Sequence, residues 1–116
     1  MDGKDSDTLI DIHAVSGSHF SGDSLTGSSE NDGFIGTLGD DTIDGKEGWD
    51  WVDYTWIGGM DGFNGVTIDF SGNYAEGFDT EGNTLFTDEL YNIEEAWASQ
   101  FNDILIGDDN DNALSG

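Results

Sequence analysis

The chain has 116 residues, with 26 acidic side chains against two Lys and Arg, a formal net charge of −24, and 18 Gly but no Pro and no Cys. That length fits one domain, and the charge excludes duplex DNA and anionic membrane as primary partners, since both are polyanions gripped by clustered Lys and Arg. Without Cys there is no disulfide, zinc thiolate site or thiol nucleophile, which leaves a basic partner or a metal cation.

No apolar run reaches the roughly 18 residues of a spanning helix, and no basic-then-apolar leader opens the chain, so membrane insertion is not expected. Acidic, Gly-rich composition borders on disorder. Aromatic residues are 12% of the chain, however, too many for a solvating tail. A fold is expected, conditional on something that neutralises carboxylates.

In chain order, residues 1–17 read as a capping strand and turn. Residues 18–53 then fall into blocks of nine: SHFSGDSLT, GSSENDGFI, GTLGDDTID and GKEGWDWVD. Position one holds Gly27, Gly36 and Gly45; position four holds Glu30, Gly39 and Gly48; position six holds Asp23, Asp32, Asp41 and Asp50; position eight holds Leu25, Phe34, Ile43 and Val52. Residues 54–97 lose the phase. There Val66–Phe70 reads as a half-buried strand and Tyr74 to Phe78 as its return, across a turn at Ser71-Gly72-Asn73. Thr87 to Ser99 has weak helical spacing, but a strand or turn is expected. Residues 98–116 resume the blocks, with Asp103 at position six, Leu105 at eight, and Asn112 at the last acidic position.

A longer repeat overlies the short one. The segment from Asp7 matches the segment from Asp88, with Leu9 aligned to Leu90, Ile12 to Ile93, Ser18 to Ser99 and Phe20 to Phe101. The chain reads as one module plus the start of the next, with 1–17 carried over from a preceding module.

The phased columns of Gly, Asp and apolar residues resemble the RTX (hemolysin-type calcium-binding) nonapeptide, GGxGxDxUx with U a large apolar residue. The second Gly of that motif is replaced throughout, by Ser28, Thr37 and Lys46. The resemblance implies an all-β fold: a calcium-loaded parallel β-roll with a small strand-rich insert or cap. Positions one to six would form a turn and seven to nine a strand, with position eight inward and its neighbours outward. Loops one coil apart would stack, Asp23 on Asp41 and Asp32 on Asp50. Gly at one and four would aim carbonyl oxygens between the loops.

Ca²⁺, which takes six to eight oxygens in flexible geometry, suits such a cage better than Mg²⁺. The candidate ligands are Asp23, Asp32, Asp41, Asp50 and Asp103, with Gly27, Glu30, Gly36, Gly39, Gly45 and Gly48 of the loops; Asp7 and Asp88 either ligate or cap. Because stacked carboxylates repel until a cation sits between them, the repeats are expected to fold only with Ca²⁺. The implied function is a structural folding module of a secreted bacterial protein, exported by a type I system and folded outside the cell, with calcium ions and neighbouring modules as partners.

Other readings carry less. His13 and His19 lack a Cys or a Glu at metalloprotease spacing, and Glu94-Glu95 is one carboxylate pair among many, so no enzyme is expected. Trp49 and Trp51 offer a second reading, a calcium-dependent carbohydrate-binding face for polysaccharide. Against it stands the expectation that the insert folds over these indoles.

Overall fold

The computed structural model describes residues 8–10, 14–16, 22–35, 39–56 and 62–116, the first two stretches by backbone only. They form twelve strands: β1 (Thr8–Ile10), β2 (Ala14–Ser16), β3 (Ser24–Thr26), β4 (Gly33–Ile35), β5 (Thr42–Asp44), β6 (Trp51–Asp53), β7 (Phe63–Asp69), β8 (Tyr74–Asp79), β9 (Thr84–Tyr91), β10 (Glu95–Trp97), β11 (Ile104–Ile106) and β12 (Ala113–Ser115). The chain is all-β. One sheet has seven strands in the order β1-β3-β5-β9-β8-β7-β11, and the other has five in the order β12-β10-β6-β4-β2.

The nine-residue phase explains this arrangement. Each block contributes a three-residue strand, and successive strands alternate between the sheets, so strands of one sheet are two blocks apart. β3 pairs with β5 in parallel, Leu25 opposite Ile43, and β4 with β6, Phe34 opposite Val52. The position-eight side chains all point between the sheets: Leu25, Phe34, Ile43 and Val52 are buried, together with Leu90 and Ala96 from the later strands. Burial of these apolar groups is what holds two sheets of such short strands together.

The segment 54–97 joins this frame rather than lying across its end. β7 and β8 form an antiparallel hairpin, Asp69 opposite Tyr74, and β8 pairs antiparallel with β9. β9 returns in parallel beside β5, Ile43 opposite Leu90, and β10 beside β6, Val52 opposite Ala96. The hairpin therefore covers the open edge of β9 by hydrogen bonding, which removes an exposed strand edge. Tyr54, Trp56, Phe63 and Phe86 form an aromatic cluster beneath it. Tyr54 stacks on Phe86 at 5.7 Å, and Trp56 meets Phe63 edge-on at 5.9 Å.

The two copies of the longer repeat part company here. Leu9 of β1 lies opposite Leu25 of β3. In the second copy, β9 and β11 are separated by β8 and β7, and β11 pairs with β7, Leu105 opposite Ile68. The hairpin precedes β9 in the chain and occupies its free edge, so β11 pairs with β7 instead. The other sheet is uninterrupted, with β12 directly beside β10, Leu114 opposite Ala96.

Candidate metal centre

The loops between strands stack as the strands do, and this places the position-six aspartates in two columns. In the first column the Asp23 amide donates to Asp41 Oδ1 at 2.9 Å, and the Asp41 amide to Asp88 Oδ1 at 2.9 Å. In the second the Asp32 amide donates to Asp50 Oδ1 at 2.7 Å, and the Asp50 amide to Glu94 Oε2 at 2.9 Å. Asp23, Asp32, Asp41, Asp50 and Asp88 are all buried, at 3% exposure or less. Buried carboxylates are costly unless paired or coordinated, so each column concentrates negative charge where water cannot screen it.

The position-one glycines line these columns with oxygen. A Cβ on Gly27 would lie 2.4 Å from Asp32 Oδ2 and 2.6 Å from the Gly45 carbonyl oxygen; one on Gly45 would lie 2.4 Å from both Asp50 Oδ2 and the Asn92 carbonyl oxygen. At position four, Gly48 has φ +119°, and a side chain there would meet the Glu30 carbonyl oxygen at 2.4 Å. Any larger residue at these points would collide first with a carboxylate or carbonyl oxygen. Glu30 thus contributes its backbone carbonyl to the loop gap while the residue itself is exposed.

Electrostatics mark the same places. Burial pushes the Asp50 carboxyl up to about 6, with the charges of Glu94, Asp32 and Asp44 adding to the shift. Burial pushes Asp88 up to about 8 against the hydrogen bonds from Tyr54 and the Asp41 amide, which favour its ionised form. Glu94 is raised by burial and by the charge of Asp108.

The two columns differ in how their buried carboxylate oxygens are satisfied. Tyr54 donates its hydroxyl to Asp88 Oδ2 at 2.5 Å, so the first column is closed by a phenol. In the second, Asp50 Oδ2 is buried and has no hydrogen-bond partner among the described residues. An orphaned, buried carboxylate oxygen near the Asn92 backbone carbonyl fits a hard, oxygen-seeking cation such as Ca²⁺. Among the described residues no three His, Cys, Asp or Glu side chains converge on one point; the oxygen set here mixes carboxylate and backbone carbonyl.

Asp103 stands apart from both columns. It accepts the Val66 amide at 2.9 Å and the Ser99 hydroxyl at 2.6 Å, so its loop neighbour is the entry to the hairpin rather than another nine-residue loop. Gly39 is buried in its loop. Asp7, Gly36, His13 and His19 lie outside the described residues.

Three contributors carried no motif signal. Asn92, in a left-handed conformation at φ 56°, occupies the place of a position-one glycine, and Glu94 occupies that of a position-six aspartate. Only Ile93 lies between them, so the loop is too short to register as a block. Tyr54 follows the last phased residue of the run.

Trp51 and Trp49 meet β10 rather than the hairpin. Trp51 is half-buried, lies over Gly33 and stacks on Trp97 at 4.9 Å. The indole N–H groups of Trp49 and Trp97 both donate to the Glu95 carboxylate, at 3.0 and 2.9 Å. A groove of about 440 Å³ beside Trp97 is lined by Thr55, Ser99, Gln100 and Ser115.

Compared with known proteins, the chain matches no family model and no curated protein.

Proposed function

We propose that this chain is a calcium-dependent folding module of the RTX type, in which the phased strands wind as a parallel β-roll and the loops hold Ca²⁺ between them. The observation that carries the reading is the oxygen-lined gap between stacked loops, with the Asp50 carboxylate oxygen buried in it and without a hydrogen-bond partner among the described residues. Asp23, Asp32, Asp41 and Asp50, with the carbonyl oxygens of Glu30 and Gly45, would hold the ions; the Tyr54 hydrogen bond makes Asp88 a capping group in this reading. Bound Ca²⁺ supplies positive charge where the buried carboxylates repel one another. The protein's part is to present the oxygens and exclude water.

The net charge of −24 gives this a biological direction. At low calcium, self-repulsion keeps the chain expanded and soluble. In an extracellular setting, where modules of this kind bind at about 10⁻⁴–10⁻³ M, the ion and the fold arrive together. The module is structural rather than catalytic, and belongs to a secreted bacterial protein. Far-UV circular dichroism of the chelated protein, titrated with Ca²⁺ and separately with Mg²⁺, tests it. Strand signal appearing with Ca²⁺ alone is the expected result; identical spectra with and without Ca²⁺ would sink the proposal.

The groove beside Trp97 favours one second reading, recognition of a neutral polysaccharide by indole stacking and hydroxyl or amide hydrogen bonds. In so acidic a chain its lining carries no acidic side chain. Glycan titration of calcium-loaded wild type against Trp51→Ala and Trp97→Ala decides it, and absence of binding in all three removes it.

A further inference from the structure

The loops differ in whether position two already satisfies position six. In loop 27–32 the Ser28 amide donates to Asp32 Oδ2 at 2.6 Å, and the Ser28 hydroxyl lies 3.1 and 3.2 Å from the two carboxylate oxygens. The later loops close in the same way, Ser99 Oγ on Asp103 at 2.6 Å and the Asp108 amide on Asn112 Oδ1 at 2.8 Å. Loop 45–50 does not. Its position-two residue, Lys46, has φ 71° and is turned to Asp44, the amide reaching Oδ1 at 3.0 Å and the ammonium Oδ2 at 3.2 Å. Asp50 Oδ2 is left fully buried without a partner among the described residues, facing the Asn92 carbonyl oxygen across the missing Cβ of Gly45.

The Glu94 carboxylate adjoins Asp50, whose carboxyl its charge raises. One of its oxygens accepts the Asp50 amide, and its carboxyl feels the charge of Asp108 from the next loop. Two carboxylates and a backbone carbonyl thus meet between a nine-residue loop and a three-residue loop outside the repeat pattern.

We propose that the tightest cation site of this chain lies between loop 45–50 and the short loop 92–94, held by Asp50, Glu94 and the Asn92 carbonyl, and that it fills before the site at Asp32. The inference rests on the calcium reading above but assigns the order of filling to residues that the repeats do not mark. The ordering follows from desolvation and competition. At Asp32 an incoming ion must replace existing hydrogen bonds from Ser28, whereas at Asp50 the carboxylate oxygen is already stripped of water and unpartnered, so its interaction with a cation is gained at little further cost.

Terbium luminescence excited through tryptophan reads the site directly, because Trp49 is next to Asp50 in the chain. Titration of the intact chain with Tb³⁺, then displacement by Ca²⁺, is compared among wild type, Asp50→Asn, Glu94→Gln, Asp32→Asn and Ser28→Ala. Expected results are loss of the first-filling phase in Asp50→Asn, its weakening by about tenfold in Glu94→Gln, and its retention in Asp32→Asn. Ser28→Ala, which removes the hydroxyl contacts and keeps the amide bond, should strengthen the later phase modestly. Near-UV circular dichroism at saturating Ca²⁺ verifies that each variant folds; should Asp50→Asn fail to fold, Glu94→Gln and Ser28→Ala carry the test. A first phase lost in Asp32→Asn but intact in Glu94→Gln overturns the assignment and leaves the calcium reading standing. Absence of any Tb³⁺ or Ca²⁺ binding by wild type overturns both.

Discussion

The loops of the parallel winding and the turns of the β7–β8–β9 meander both set aspartates against backbone amides, yet they do so in opposite ways. Between the winding loops the bond joins residues 18 apart, Asp23 to Asp41 and Asp32 to Asp50, and it is buried. In the meander the bonds are local and exposed: Asp69 accepts Ser71 and Gly72, and Asp79 accepts Glu81 and Asn83. The carboxyl groups respond accordingly. Hydrogen bonds from Ser71 and Asn83 hold Asp69 and Asp79 below the usual carboxylate range, whereas burial lifts Asp50 and Asp88 above it. A raised folded-state value makes ionisation oppose folding: stability is present at acid pH and is lost as pH rises through the folded value. Under the proposed calcium reading, a counter-cation would relieve that opposition at Asp50 near neutral pH, whereas the meander turns, whose carboxylates are already hydrogen-bonded, would be indifferent to it.

The largest expected effect short of removing calcium falls on the shared core of the winding. Phe34 is fully buried and opposite Val52, so Phe34→Ala should cost about 3–5 kcal/mol in saturating Ca²⁺. If ion binding and folding are linked as proposed, the same loss should raise the calcium concentration at the folding midpoint. A variant with lowered thermal stability but an unmoved calcium midpoint would mean that the winding and its ions are not coupled.

Tyr54→Phe probes the point where the two regions meet. The phenol is the partner of Asp88 Oδ2, and its ring stacks on Phe86 beneath the hairpin. Phenylalanine keeps the ring and leaves a buried carboxylate oxygen unpaired, a loss of about 1–3 kcal/mol by thermal or denaturant unfolding. Calcium stoichiometry sharpens the result. If it rises by one in the variant, the freed Asp88 has become a ligand, and the phenol is what distinguishes the two columns.

The inward residues and the two-block spacing of the winding were legible in the sequence because both follow from one short period: an apolar residue every nine positions with Gly and Asp at fixed offsets. The hairpin was legible too, since Val66–Phe70 and its return alternate around a turn marked by Ser, Gly and Asn. Its place in the sheet was not. Nothing local in β8 states that it will take the edge of β9 and keep β11 away, because edge pairing is decided by which strand arrives with compatible register and burial. The Asn92 and Glu94 contributions were hidden for a related reason: a three-residue loop stacks on a six-residue one only because β5 and β6 have already fixed where β9 and β10 begin. The role of position two was not legible either, because it depends on which carboxylate the residue reaches, Asp32 for Ser28 and Asp44 for Lys46.

The smallest effect belongs to the meander turns. Asp79 organises the β8–β9 turn through the amides of Glu81 and Asn83 and the Asn83 side chain, all within four residues. Asp79→Ala should lower the melting temperature less than Tyr54→Phe does, and by the same amount at limiting and saturating Ca²⁺, since no loop of the winding is touched. Its pH dependence has the opposite sign to that of the buried columns. The folded Asp79 carboxyl lies below its ordinary value of 3.8, so its contribution is present above that pH and is lost as pH falls through the folded value. The difference in melting temperature between wild type and Asp79→Ala, measured in saturating Ca²⁺, should therefore hold steady from neutral pH downward and shrink only below 3.8. A difference that instead varied with calcium would show that the turn and the winding loops share one electrostatic unit, and the contrast between them would fail.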